Sequence, residues 1–138
     1  MDRKVLTLTA DGASSDQQVL EALALLVALR EWSSYWCNHR VQLSVRTDNM
    51  AVLSMMCRMQ PYSDRMGIVA HELGLDICQS SVTPDDCQHI PGIANNAADI
   101  LSRRYQPNKS TVLPEYLNSA VEHTVEERNA RWWRTASA

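Results

Sequence analysis

Phenylalanine is absent from this chain of 138 residues, so four Trp, four Tyr and six Met must supply the bulky packing of any core. No uninterrupted apolar stretch reaches bilayer length, which argues against a membrane-spanning helix, and the opening MDRKVLTLT does not read as a secretory signal. Cysteine pairs at metal-ligand spacing are also missing. Cys37, Cys57, Cys78 and Cys87 lie far apart with neither CxxC nor a Cys/His finger pattern. Such scattered thiols fit a reduced chain inside the cell, in cytoplasm or nucleus, and argue against zinc and disulfides. A basic excess is lacking as well, since the formal charge of −3 speaks against strong free-standing affinity for nucleic acid. Internal repeats and low-complexity segments do not occur.

What is present suffices for one domain with a core: the apolar content of 45% is that of a soluble globular chain. Eleven of the thirteen cations are Arg, the better phosphate clamp, so a weak binder delivered by a larger protein fits both the charge and its type. Residues 3–9 are β-branched and apolar enough for a strand. Ser15 with Gln18 forms a capping-box signature for a helix over about 16–36, apolar nearly all round and expected to be buried on several sides. Over 40–48, Val41, Leu43, Val45 and Thr47 alternate with Gln42, Ser44, Arg46 and Asp48, the period of a strand. Helices are expected over 50–59, stopped by Pro61, and over 66–79, with a break near Gly74. A short strand at 81–90 precedes a helix at about 95–104; QPNKSTVLP then reads as a linker, and 115–133 as a weakly amphipathic helix. This order of elements implies an α/β layer structure.

The densest chemistry lies in HIPGIANNAADILSRR, from His89 to Arg104. Pro91 and Gly92 break an extended run, Asn95 or Asn96 can cap the next helix, and Asp99 falls about one turn inside it, where a helix dipole favours a carboxylate. Asp48 ends a strand where the chain turns into a helix, the edge at which α/β sheets gather ligands; the alternative is that Asp48 or Asn49 simply caps that helix. Glu21 is the one acid between Val19 and Leu29, and by itself it reads as an ordinary residue near a helix start. Taken together, acids at two helix starts and a strand end, with His89 nearby, suit a phosphodiesterase that uses hard divalent ions.

The pattern H-x-P-G-x-x-N-x-x-A-D-x-L-S-R resembles the last motif of the ribonuclease H domain of retroelement reverse transcriptases. EALALLVALREW resembles the family's glutamate helix and SVRTDNMAVLSMM its second aspartate turn, so the resemblance runs from about Ser14 through Arg104. It implies a ribonuclease H-like mixed sheet with flanking helices, in a domain spanning 1–105, followed by a linker and helical tail over 106–138. It assigns Glu21, Asp48 and Asp99 to Mg²⁺ or Mn²⁺, with His89 as the loop histidine assisting proton transfer or product release. Asn49 and Asn95 match positioning asparagines, and Arg46, Arg103 and Arg104 are the nearest cations for nucleic acid. The implied reaction is two-metal cleavage of the RNA strand of an RNA–DNA hybrid, with the reverse transcriptase part of the same polyprotein as partner and no membrane involved. The DNA-directed relatives of this superfold, resolvases and integrases, fit less well because of the TDN turn and the LSR ending.

One departure stands out. The family begins with a hairpin whose first strand carries another aspartate, yet only one strand precedes Glu21, and Lys4–Leu8 reads as the third strand of such a fold. Asp2 and Asp11 have neither the strand nor the spacing required. The first hairpin strands are thus expected to be missing and the catalytic set incomplete, with weak divalent-ion binding. A non-catalytic, truncated or domesticated ribonuclease H-like interaction module is the alternative.

Overall fold

The computed structural model describes residues 14–61 and 63–134, so the strand expected over 3–9, Asp2 and Asp11 lie outside the described residues, as does the side chain of Ser15. Helix α1 spans Ser14–Glu31. Val19, Ala22, Leu23 and Leu26 are its buried apolar residues, an i, i+3, i+4, i+7 stripe, and Leu25, Val27 and Leu29 pack partly against the same core. It ends five residues earlier than the sequence suggests. Trp32 through Trp36 hold two serines and three aromatics, all modest helix formers, and the chain tightens into a 3₁₀ turn over Ser33–Tyr35.

Strand β1, Val41–Thr47, keeps the anticipated alternation, its odd-numbered residues half-buried and its even-numbered ones exposed. Helix α2, Met50–Arg58, stops at Met59, which adopts a left-handed φ of 52° and donates its N–H to the Met55 carbonyl at 2.8 Å. Helix α3, Asp64–Gln79, starts on a Ser63 cap whose hydroxyl accepts from Met66 N at 3.2 Å. The expected break near Gly74 does not occur. A helical glycine costs about 1 kcal/mol, but the buried face of Met66, Val69, Ala70, Glu72 and Leu73 holds α3 through tertiary packing.

Strand β2, Val82–His89, lies parallel to β1, with register running from Val41 beside Val82 to Thr47 beside His89. Pro84 has no N–H to offer, and just there the ladder slips: Leu43 faces Pro84, Ser44 faces Asp86, and Asp85 is passed over. Among the described residues these two strands are the whole sheet. The helices α1, α2 and α3 share one apolar cluster, and the sheet joins it through Val45 and Cys87. The protein is therefore a mixed α/β structure. Helix α4, Asn96–Ser102, follows a 3₁₀ turn over Gly92–Ala94.

The helix expected over 115–133 is not formed; only a 3₁₀ turn at Glu115–Leu117 appears, and the chain from Ala120 to Arg134 is irregular. With few apolar positions and no continuous apolar face, this segment had little to bury as a helix. It returns instead to the core, where Trp132 and Trp133 pack edge to face with centroids 4.8 Å apart. No described helix is long and apolar enough to cross a membrane.

Candidate functional site

Because β1 and β2 are parallel, both end at the same edge of the sheet, and the turns that follow them meet there. Thr47 closes β1: its hydroxyl accepts from Asn49 N at 3.1 Å, and its carbonyl accepts from Ile90 N at 2.9 Å. Asn49 is the cap of α2, its side-chain oxygen accepting from Ala51 N at 2.9 Å and Val52 N at 3.2 Å. That division of labour resolves the two readings of the Asp48–Asn49 turn. Asn49 satisfies the helix, and the Asp48 carboxylate is left exposed for another partner.

The partner comes from the turn after β2. Pro91 breaks the extended run, the 3₁₀ turn at Gly92–Ala94 follows, and Asn95 Nδ2 donates to Asp48 Oδ1 at 3.1 Å. Asn95 occupies the cap position of α4 without capping it, because its side chain is turned to Asp48. Gly92 runs close by, so that a Cβ on it would stand 3.4 Å from Asp48 Oδ2. On the other side, Glu21 from α1 lines an open cavity of about 250 Å³ together with Gln17, Gln18, Asp48 and Asn49. Gln17 Nε2 donates to Glu21 Oε1 at 3.2 Å, which steadies that carboxylate across one helical turn.

Of the residues singled out in the sequence, Glu21, Asp48, Asn49 and Asn95 are thus brought to one corner. His89 ends β2 beside Thr47 and is exposed at the same edge. Asp99 lies in the first turn of α4, where its Oδ1 pairs with Arg103 Nη2 at 2.8 Å. Arg104 pairs with Glu122 at 3.4 Å and stacks over Tyr105 at 5.5 Å, while Arg46 is exposed on β1 beside Gln88. No three His, Cys, Asp or Glu side chains among the described residues group closely enough to hold a metal ion. Glu21 and Asp48 do present hard oxygen donors to one cavity, a donor set that suits Mg²⁺ completed by water and phosphate oxygens. Gln17 went unnoticed in the sequence and Gln18 was read only as part of a capping box, although their positions four and three residues before Glu21 put them on its face of α1.

A larger cleft of about 680 Å³ lies away from this corner, between the ends of α1 and α3 and the chain around Trp132. Its walls are ion-paired to one another rather than presented to a ligand. Arg30 Nε donates to Asp76 at 2.6 Å, Nη2 to Glu72 at 2.6 Å and Nη1 to the Trp132 carbonyl at 2.6 Å. The guanidinium also stands 4.2 Å over the Trp132 ring, and Arg134 bonds Gln79 and pairs with Asp76. Comparison of the chain with protein-family models, with curated proteins and with solved structures yields no match.

Proposed function

We propose that the chain is a ribonuclease H-type module of a retroelement reverse transcriptase, acting on the RNA strand of RNA–DNA hybrids with Mg²⁺ or Mn²⁺. The observation that carries this reading is the Asp48 corner: a strand-end carboxylate relieved of capping duty by Asn49, held by Asn95 from the HIPG turn, and facing Glu21 across an open cavity. In this reading Glu21 and Asp48 supply the protein oxygens for a divalent ion, and phosphate oxygens of the hybrid fill further positions. Such an ion would neutralise charge on the phosphodiester under attack. Asn95 fixes the Asp48 carboxylate, and His89 at the rim is placed to exchange protons with the leaving strand. Arg46, Arg103 and Arg104 give the duplex backbone its cations, with shape and 2′-hydroxyl contacts favouring a hybrid over DNA.

One observation favours a non-catalytic interaction module instead: Asp99 is engaged by Arg103 rather than facing the cavity, which leaves two carboxylates there. A labelled RNA–DNA hybrid incubated with the chain and Mg²⁺ or Mn²⁺ separates the two. Metal-dependent cleavage of the RNA strand, lost in Asp48→Asn and Glu21→Gln, is the expected outcome. Hybrid binding without cleavage, unchanged by both substitutions, would leave the interaction module standing, and absence of both binding and cleavage would remove each reading.

A further inference from the structure

Helix α4 buries none of its residues, and a polar row runs along it from the carboxylate corner outward. Asn95, Asp99 and Arg103 stand four residues apart, the spacing that places side chains one above another on a helix face. The backbone keeps that step: Asp99 N donates to the Asn95 carbonyl at 3.0 Å, and Arg103 N to the Asp99 carbonyl at 3.3 Å. At the inner end of the row, Asn95 Nδ2 donates to Asp48 Oδ1 at 3.1 Å. At the outer end, Arg103 Nη2 pairs with Asp99 Oδ1 at 2.8 Å. Asp99 therefore has the partner of Asp48 one turn before it and its own cation one turn after it. The side chains of this pair are 49% and 44% exposed, and an ion pair so open to water is held only weakly. The next residue, Arg104, is engaged elsewhere, with Glu122 and over the Tyr105 ring.

We propose that the Asp99–Arg103 pair is an exchange latch, opened when a backbone phosphate of the bound nucleic acid takes Arg103 and the freed Asp99 carboxylate turns back along α4 toward Asp48. The proposal rests on the reading of the corner as a divalent-ion and hybrid site. A guanidinium meets phosphate oxygens through the same two-pronged hydrogen bonding that it offers a carboxylate, so the exchange replaces one charged partner with another. Helical side chains lean toward the N-terminus of their helix, so the turn toward Asn95 is the direction the backbone favours. With the latch closed, the corner presents Glu21 and Asp48; with it open, Asp99 becomes a third acid facing the same place. The consequence is linkage: divalent ion and nucleic acid bind more tightly together than apart, by one factor whichever arrives first. That factor is the worth of an exposed ion pair, about two- to fivefold.

Calorimetric titration of Mn²⁺ into the full chain tests this without recourse to cleavage. Arg103→Gln should tighten Mn²⁺ binding by about two- to fivefold, because Asp99 no longer has its cation. Arg104→Gln removes the same charge one position on and should not reproduce the gain. In Arg103→Gln/Asp99→Asn the gain should vanish. A short hybrid blocked against cleavage by 2′-O-methyl groups should tighten Mn²⁺ binding more in the wild-type chain than in Arg103→Gln, whose latch is already open. Both altered side chains are half exposed on a helix with no buried residues, so the core is left untouched. Unchanged or weaker Mn²⁺ binding in Arg103→Gln, an equal gain in Arg104→Gln, a gain that survives Asp99→Asn, or an equal response to the hybrid in both chains would overturn the latch. Cleavage of an unmodified hybrid together with any of these results would sink the latch and leave the nuclease reading standing. No cleavage, with the free-chain gain present and dependent on Asp99, would remove the nuclease reading and keep the latch.

Discussion

Removing the Arg30 guanidinium would take from Glu72, fully buried, the ion pair the two make at 2.6 Å. Burial alone lowers the Arg30 pKa, yet the hydrogen bonds and charges of Asp76 and Glu72 outweigh it and hold the guanidinium above its ordinary value. Arg30 therefore stays charged at any pH the fold survives, and a neutral substitute takes a charge-assisted hydrogen bond from a buried carboxylate. Arg30→Met should cost roughly 3–5 kcal/mol by urea denaturation, and adding Glu72→Gln should recover part of that loss. Recovery by the double substitution separates a stranded charge from lost packing, since packing would stay lost. Gly74 is the opposite case. A Cβ there meets nothing within 4 Å, so Gly74→Ala should stabilise α3 by about 0.5–1 kcal/mol, and a destabilised variant in the same titration would mean that α3 needs glycine for another reason. This position also explains why a break at Gly74 was a reasonable expectation from sequence. The glycine does weaken the local helix, but the apolar stripe on either side of it decides the outcome.

Among the elements, legibility follows the strength of the local signal. β1 declares itself through strict alternation and α2 through its cap and the proline beyond it, because both signals act over a few residues. The Asp48–Asn49 turn is only half legible: sequence leaves open whether Asp48 caps α2 or serves a site, and the structure decides it, since Asn49 accepts from Ala51 N and Val52 N while Asp48 is held by Asn95. The segment after Tyr105 misleads, since its spacing suggests a weak helix while its attachment comes from two tryptophans at the far end. Arg30 and Trp132 are too distant in sequence for any periodicity to pair them, and their contact combines a hydrogen bond to a carbonyl with a cation over a ring. Along the way, Tyr105 hydrogen-bonds Glu122, and His123 meets Glu31 at 3.0 Å. Trp132→Ala should lower stability by about 2 kcal/mol, less than a fully buried tryptophan because the ring is only half-buried. Removing residues 106–138 should lower the thermal midpoint further, whereas an unchanged midpoint in both variants would make the segment a passive appendage.

At the scale of the whole molecule, parallel pairing of β1 and β2 is what makes a site possible at all, because it collects two loop turns at one edge. The sequence motifs identify Glu21, Asp48, Asn49 and Asn95 as residues of one corner, and the fold gathers them from α1, the β1–α2 turn and the β2–α4 turn. What no motif conveys is the state of Asp99, whose carboxylate is paired with an arginine one helical turn away and does not line the cavity. A Mn²⁺ titration followed by amide relaxation in an isotope-labelled chain reads the corner directly. Broadening should begin at Glu21, Asp48, Asn49, Gly92 and Asn95 and disappear in Asp48→Asn, and adding an RNA–DNA hybrid should extend it to Asp99. Broadening centred on the exposed acids Asp85 and Asp86 of β2, or undiminished in Asp48→Asn, would contradict the assignment of the Asp48 corner as the working site.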